Sequence, residues 1–157
     1  MLTHVVAVYW PLNMNDVKYE STGLLDTDMA GQRIGSALRF PACVHLNGEM
    51  GAGKTTLTKS IIRSLGYKGN VTSPTYNLIQ EYQVDQGMVY HMDLYRLDDP
   101  AEIEYLAIED LWSPTSIFLI EWAEKGEGCL PNASHTITIY KNTEQSELTR
   151  SILFQTP

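Results

Sequence analysis

The sequence predicts a single α/β domain, with helices flanking a mixed central β-sheet. A glycine-rich loop with the pattern G-x-x-x-x-G-K-[ST] stands between an apolar strand and an amphipathic helix, the context that a phosphate-binding loop requires. A second apolar run, residues 117–120, shows no polar alternation, as expected of a strand buried on both faces of a sheet. The length of 157 residues suits one domain.

The first part of the chain divides into an extension, a strand and a helix. Residues 1–16 have little amphipathic order, so we interpret them as an N-terminal extension of uncertain role and expect the domain to cover residues 17–157. Residues 17–21 alternate as a short edge strand. A helix is expected next, because residues 26–28 offer N-cap oxygens and Pro41 stands beyond its end. Its predicted core face consists of Ala30, Ile34, Ala37 and Leu38.

The middle of the chain predicts the loop strand, the loop helix and a hairpin. Residues 42–46 form the apolar strand that enters the loop, and the helix after the loop is expected to end at Gly66. Alternating segments at residues 76–84 and 88–92, joined by the Asp-Gln-Gly turn at 85–87, predict a β-hairpin. One face of the loop helix carries Leu57, Ile61 and Leu65.

The last third predicts a helix, the buried strand and a closing hairpin. Residues 99–102 supply an N-cap aspartate, a proline at the first helical position and a glutamate at the third. The strand at 117–120 follows, and alternating segments at 135–140 and 148–154 predict the closing hairpin. The core face of the predicted helix consists of Ile103, Leu106, Ala107 and Leu111.

The glycine-rich loop carries the strongest functional signal. Gly48, Gly51 and Gly53 allow backbone N–H groups to converge on one small volume, as a triphosphate requires. Lys54 offers a positive charge to the β- and γ-phosphates, and the hydroxyl of Thr55 is suited to ligate Mg²⁺. We therefore predict a nucleotide site. The residues expected to contact the nucleotide are Glu49, Met50, Gly51, Ala52, Gly53, Lys54, Thr55 and Thr56.

Two carboxylates end the apolar strands that follow the loop, Asp93 after residues 88–92 and Glu121 after residues 117–120. Ligands of open α/β sheets lie outside the carboxyl ends of the strands, so both acids are candidates to face the phosphates. We expect one or both to serve Mg²⁺, since a further carboxylate can orient the attacking water. With Lys54 they form the predicted catalytic set. For Asp93, a plain solvated acid is the competing interpretation.

Several further residues have a functional and a structural interpretation. Residues 72–75 lie where other phosphate-loop proteins carry a switch segment, but an ordinary turn around Pro74 explains them equally well. Arg96 suits an arginine finger or a surface ion pair. Trp122 stacks on a base or partner or, by default, belongs to the core, and His91 is expected to be a satisfied structural histidine.

Charge and cysteine content limit the class of protein. Eleven Lys and Arg against nineteen Asp and Glu give a net charge of −8, which disfavours direct binding of nucleic acid. Cys43 and Cys129 form no C-x-x-C pair and no metal-ligand cluster, so both are expected to be reduced thiols. No apolar stretch is long enough to span a bilayer, and we expect no membrane association and a cytoplasmic protein.

Four segments taken together resemble one protein family. They are the loop at 48–56, the stretch at 69–76, the stretch Tyr-His-Met-Asp-Leu-Tyr-Arg at 90–96 and the pair Glu-Trp at 121–122. In this order and spacing they resemble the TsaE family, the bacterial ATPases required for threonylcarbamoyladenosine modification of tRNA. The resemblance extends from about residue 21 to residue 140.

The resemblance implies a small P-loop domain that uses ATP and Mg²⁺ and works with TsaB, TsaC and TsaD. In the family, the TsaD–TsaB pair transfers the threonylcarbamoyl group, and TsaE docks on that pair and hydrolyses ATP to support repeated turnover. The protein would contact tRNA only indirectly, through its complex with these partners. By motif match, Lys54 and Thr56 would contact phosphates. Thr55 and Glu121 would serve Mg²⁺, with Asp93 at the same site.

Three other functions compete with this one. A GTPase usually carries N-K-x-D, which the sequence lacks, and its D-x-x-G at residues 28–31 precedes the phosphate loop. A small P-loop kinase should bring a basic lid, and no cluster of Lys and Arg after Arg96 suggests one. A nucleotide-gated assembly module with incidental hydrolysis stays open. For an ATPase without a positioned arginine finger we expect slow hydrolysis in isolation and stimulation by partners.

Overall fold

The computed structural model describes residues 15–74 and 76–156, which form one mixed sheet with helices packed against it. The strands are β1 (Val17–Ser21), β2 (Ala42–Asn47), β3 (Ile79–Val84), β4 (Gly87–Asp93), β5 (Ser116–Glu121), β6 (His135–Lys141) and β7 (Arg150–Gln155). The α-helices are α1 (Leu24–Ala37), α2 (Lys54–Ser64) and α3 (Ile108–Leu111), and 3₁₀ helices span Pro100–Leu106 and Ala123–Gly126. The seven strands lie in the order β1-β7-β6-β2-β5-β4-β3.

The central strands are parallel and bring their carboxyl ends to one edge of the sheet. β2 pairs with β5 and with β6, and β4 pairs with β5, all in parallel. β1, β3 and β7 pair antiparallel with their neighbours. The register places Glu121 beside Leu46 of β2 on one side and beside Asp93 of β4 on the other. The predicted α/β fold with a mixed sheet is confirmed, and the two strand-end acids are neighbours.

The core lies on both faces of the sheet, and β5 contributes to both. Ile117 and Leu119 pack in the cluster that α1 and α2 cover, whereas Phe118 and Ile120 pack in the cluster on the opposite face. All the side chains of β5 are buried. Alternate residues of a strand point to opposite faces, so a strand covered on both faces needs an unbroken apolar run. The prediction from residues 117–120 is confirmed.

Two glycines allow α1 to approach α2 closely. A Cβ added at Gly31 would overlap the Cβ of Ser60, and one added at Gly35 would overlap the Oγ of Ser64. The hydroxyl of Ser60 donates to the carbonyl of Asp28 at 3.0 Å, which links the helices further. Since α2 begins at the end of the phosphate loop, α1 supports the helix on which the loop rests.

The predicted start of α1 was wrong. The helix begins at Leu24, and its N-cap is Gly23 rather than a residue within 26–28. Asp26 instead lies in the first turn, where its carboxylate accepts from the backbone N–H of Thr22 at 2.9 Å and from the Thr22 hydroxyl at 2.7 Å. The predicted core face was partly wrong as well, because Ala37 is exposed. The close contacts of α1 with α2 are made at Gly31 and Gly35.

The segment predicted as one helix after Asp99 is broken in two. The capping box is present, with Asp99 accepting from the Ala101 N–H at 2.9 Å, but the turns that follow are a 3₁₀ helix. Ala107 has a φ of 48° in the left-handed region, which ends that helix before α3 begins. Ala107 is therefore exposed and Ile108 buried, contrary to the predicted face, while Ile103 is buried as expected.

Smaller differences concern strand starts and the N-terminus. β3 begins at Ile79 and β7 at Arg150, each later than predicted, because residues 76–78 are a bend and residues 143–149 a turn-rich connection. Among the described residues, no helix is long and apolar enough to cross a membrane. The interpretation of residues 1–16 as an extension falls almost entirely outside the described part of the chain.

Candidate nucleotide-binding site

The phosphate loop, residues 48–53, connects β2 to α2 and depends on its glycines. Gly51 and Gly53 have φ values of 73° and 105°, in the left-handed region where a side chain would be strained. A Cβ at Gly48 would lie 2.9 Å from the carbonyl oxygen of Ile139 in β6, so the loop packs directly on the sheet. The glycines stand where the loop needs backbone freedom or room.

Lys54, the first residue of α2, turns its side chain back into the loop. It is 5% exposed, and its Nζ donates to the carbonyl oxygens of Gly48 and, at 3.0 Å, of Glu49. The same nitrogen lies 4.2 Å from the ring centroid of Trp122, within cation–π range. Burial lowers the pKa of Lys54, and the negative charge of Glu121 opposes this effect. The ammonium group is thus held at the mouth of the loop.

Glu121 is fixed through both carboxylate oxygens. It is 2% exposed, and its Oε2 accepts a hydrogen bond from the hydroxyl of Thr55 at 3.0 Å. Its Oε1 lies 2.8 Å from Nε2 of His91, which is fully buried. Buried carboxylates are costly unless they are hydrogen-bonded, and these contacts provide that compensation. The result is a connected row from β4 through β5 to the first turn of α2.

Asp93 lies next to Glu121 on the neighbouring strand. Its Oδ1 accepts from the backbone N–H of Tyr95 at 3.1 Å. Burial raises the pKa of Asp93, and the charge of Glu121 raises it further, while the hydrogen bond from Tyr95 opposes both. Asp93 is half-buried and lines the same cleft as Glu121.

An open cleft of about 380 Å³ lies over the loop and the strand-end acids. This volume is within the range of ligand-binding clefts. Of the residues predicted for the site, all line the cleft except Glu49 and Ala52. Tyr95 and Trp122 complete the lining. The structure therefore brings the predicted lysine, hydroxyls and carboxylates together around one cleft.

The donor set limits the kind of metal that could bind in the cleft. Within residues 15–74 and 76–156, no group of three or more His, Cys, Asp and Glu side chains is arranged to hold a metal ion. A cation here would take the Thr55 hydroxyl and one or both of Glu121 and Asp93, with ligand oxygens and waters completing its shell. Mg²⁺ is commonly bound in this way, through one or two carboxylates and phosphate oxygens.

Comparison with known proteins identifies the family. The family model for threonylcarbamoyl adenosine biosynthesis protein TsaE matches residues 21–152. The chain belongs to the TsaE family. The TsaE protein of Haemophilus influenzae is 50% identical over 107 residues, which cover 67% of this chain and 68% of the relative. The TsaE protein of Bacillus subtilis is 38% identical over 137 residues, covering 87% and 85% respectively.

A solved structure agrees with this assignment. YdiB from Bacillus subtilis has a TM-score of 0.70 and 26% sequence identity to this chain, covering 90% of this chain and 85% of that one. The resemblance to the TsaE family and the α/β fold class are confirmed. The TsaE family is nucleotide-binding and serves threonylcarbamoyladenosine biosynthesis, which agrees with the predicted nucleotide site.

Two residues, Trp122 and His91, make contacts at this TsaE-family site that the sequence did not predict. Trp122 packs against the core cluster as expected, and its half-buried ring also lies under the ammonium group of Lys54 and 5.2 Å from the ring of Tyr95. His91 is buried, but it is not fully satisfied as expected: its Nε2 contacts Glu121, whereas its Nδ1 has no hydrogen-bond partner among the described residues. Position 91 precedes Asp93 by two residues, so both side chains leave the same face of β4, but this spacing alone does not indicate Glu121 as the partner.

Other predicted features lie outside the cleft. Arg96, the candidate arginine finger, is not among the described residues that line it. The carbonyl of Thr72 accepts from the hydroxyl of Tyr82 at 2.7 Å, which ties the start of the candidate switch segment to β3. Thr75 of that segment lies outside the described residues. Cys43 is buried and Cys129 half-buried, and both are free thiols as predicted.

Proposed function

We propose that this TsaE-family chain is the Mg²⁺-dependent ATPase of tRNA threonylcarbamoyladenosine synthesis and acts with TsaB, TsaC and TsaD. The observation that carries the proposal is the 3.0 Å hydrogen bond from the Thr55 hydroxyl to Glu121. It joins the helix of the phosphate loop to the strand-end acid, as a site for a Mg²⁺-bound nucleotide requires. A loop that only bound phosphate would need no such acid.

The phosphates would be bound by the loop amides, Lys54 and Thr56. Lys54 is already held in the loop by carbonyl oxygens, so its charge is in place for an anion. The amides of a glycine-rich loop and the N-terminus of α2 add donors and a favourable dipole. Trp122 covers the ammonium group and limits its access to water. The loop amides, the helix N-terminus and Lys54 together would favour binding of a phosphate chain.

The residues present fit Mg²⁺. Asp93 and Glu121 are neighbouring carboxylates, and burial together with the charge of Glu121 raises the pKa of Asp93. A divalent cation would relieve this repulsion. Mg²⁺, when bound, neutralises charge that develops on the phosphates during transfer. Thr55 and Glu121 would hold it, directly or through water, and Asp93 would orient the attacking water.

Partner contact would control the rate. Arg96 is outside the cleft lining, and an arginine finger can contribute a factor of roughly 10³ to 10⁵. We infer that docking on the TsaD–TsaB pair orders residues 72–75 and the Arg96 segment and so speeds hydrolysis. With a net charge of −8, the free chain would bind tRNA poorly and reach it only within the complex.

The test measures phosphate release from ATP by the protein alone, with the TsaD–TsaB pair, and with tRNA alone. We expect slow release alone, an increase of roughly tenfold or more with the pair, and no response to tRNA. Lys54→Ala should abolish nucleotide binding, because it removes the cation inside the loop. Full activity of the isolated protein, or stimulation by tRNA without the pair, would contradict the proposal.

A further inference from the structure

Two cations from the closing hairpin reach the back of the phosphate loop. Lys141, at the end of β6, donates from Nζ to the carbonyl oxygen of Met50 at 2.7 Å. Arg150, at the start of β7, donates from Nε to the carbonyl oxygen of Ala52 at 3.1 Å. The two residues are cross-strand partners in the β6–β7 ladder, so their side chains leave the same face of the sheet.

These contacts act on two peptide units of the loop, those that end in the N–H groups of Gly51 and Gly53. In a trans peptide the C=O and N–H groups point in opposite directions. The carbonyl of Met50 shares its peptide unit with the N–H of Gly51, and the carbonyl of Ala52 shares its unit with the N–H of Gly53. A cation that holds either carbonyl at the back of the loop therefore turns the partner N–H toward the front. Both glycines line the cleft.

Without such contacts these peptide units would rotate easily. Gly51 and Gly53 have positive φ values, and glycine moves between backbone regions at little steric cost. Hydrogen bonds from charged donors are about twice as strong as neutral ones, which suits them to holding one orientation. Further contacts anchor the cations: Lys141 lies 3.6 Å from Oε1 of Glu49, and Arg150 also donates to the carbonyl oxygens of Glu147 and, at 2.9 Å, of Thr149.

We propose that Lys141 and Arg150 are positioning residues that hold the amides of Gly51 and Gly53 toward the phosphates of the nucleotide. The inference rests on the proposed nucleotide-binding function of the loop. It assigns a role to the C-terminal hairpin, which the sequence linked to no function. Neither cation needs to touch the ligand, since each acts through the peptide unit that it bonds.

The test compares variants of the full chain. Lys141→Met and Arg150→Met remove the donors, Lys141→Arg retains a charged donor, and Lys141→Gln retains a donor without charge. Arg39→Met is the matched control, because Arg39 also donates to backbone carbonyls, those of Ser36 at 2.8 Å and Leu38 at 2.9 Å, away from the loop. Calorimetry gives the affinity for inorganic pyrophosphate, and amide NMR gives the Gly51 and Gly53 resonances.

We expect each Met variant to bind pyrophosphate roughly tenfold more weakly, with the glycine amide resonances shifted before ligand is added. Lys141→Arg should keep most of the wild-type affinity for pyrophosphate. Lys141→Gln should keep the Gly51 amide resonance near its wild-type position. Arg39→Met should match the wild type in both measurements. Unchanged affinity, or weaker binding with unmoved Gly51 and Gly53 resonances, would overturn the inference. If the wild type binds pyrophosphate but hydrolyses no ATP, the proposed function fails while the positioning role stands on the same measurements.

Discussion

The imidazole of His91 on β4 contacts the carboxylate of Glu121 on the neighbouring strand β5, with 2.8 Å between Nε2 and Oε1. The donor and acceptor roles in this contact depend on the tautomer of the ring, and an imidazole with its proton on Nε2 donates to Oε1. The other oxygen of Glu121 receives the hydroxyl of Thr55 at 3.0 Å. His91 therefore sets the rotation of the carboxylate and decides which oxygen faces the first turn of α2.

Replacing His91 should slow hydrolysis more than it weakens nucleotide binding. His91→Leu removes the donor to Oε1, so Glu121 loses its fixed orientation while the loop and Lys54 stay intact. We expect phosphate release to fall about tenfold and affinity for ATP to change less than about threefold. The conservative variant His91→Gln, whose amide can still donate, should recover part of the rate. Rate and affinity falling equally in both variants would contradict this role.

Glu121→Gln and Asp93→Asn should separate binding from hydrolysis. Each amide keeps the shape of the side chain but loses the charge that would hold Mg²⁺ or its waters. We expect hydrolysis to fall by roughly a hundredfold in Glu121→Gln, with nucleotide still bound. Asp93→Asn should behave similarly, with a larger loss of binding if Asp93 is the direct ligand. Phosphate release and fluorescent-nucleotide titration measure the two effects, and wild-type rates in both variants would refute the assignment.

The same Glu121→Gln variant distinguishes the ATPase from an assembly module. A protein that binds ATP without cleaving it should still dock on its partners. If threonylcarbamoyladenosine formation continues over many cycles with this variant, hydrolysis is incidental and nucleotide-gated assembly is the better description. If formation stops after about one cycle, hydrolysis is required for turnover.

Gly31→Ala should destabilise the fold by separating α1 from α2. The new methyl group would overlap the Cβ of Ser60, and overpacking of this kind typically costs about 1–3 kcal/mol in the free energy of unfolding. Gly23→Ala is the matched control, because nothing lies within 4 Å of a Cβ at that position. Urea unfolding of both variants gives the comparison. Equal stability of the two would show that the helices adjust without cost.

Stability should decrease as the pH falls below about 6.5. Burial lowers the pKa of His45 and of His135 below the ordinary value of about 6.5 that the unfolded chain retains. Below that value the unfolded chain binds more protons than the folded one, so the free energy of unfolding declines as the pH falls toward the folded pKa values. Urea unfolding at pH 7.5 and pH 5.5 measures the loss, and His135→Gln should reduce it.

The sequence predicted the loop, the strand-end acids and the sheet because each depends on local signals. The continuous apolar run at 117–120 and the glycine-lysine-threonine pattern describe their surroundings directly. The orientation of Trp122 and the contact of His91 with Glu121 depend instead on the register between β4 and β5, which no local pattern reveals. The start of α1 was misplaced because Asp26 binds back to Thr22 from inside the helix. Tertiary contacts overrode residues that usually occupy an N-cap.

The contacts of the closing hairpin were missed for a related reason. Lys141 and Arg150 are separated from Met50 and Ala52 by 91 and 98 residues, and their partners are backbone oxygens. Any residue offers such an oxygen, so the sequence contains no complementary side chain to indicate the pairing. Only the pairing of β6 with both β2 and β7 brings these cations beside the loop.

The internal contacts of Lys54 affect which anions can bind at the phosphate loop. The ammonium group is bonded to two oxygens of its own loop and covered by Trp122, so an arriving anion must displace internal contacts rather than loosely held solvent. The contacts that a single phosphate gains compensate little for the contacts that Lys54 loses. A chain of phosphates compensates better, because it contacts Lys54 and the loop amides together. We therefore expect the loop to discriminate by ligand length, with common monovalent anions competing weakly for it.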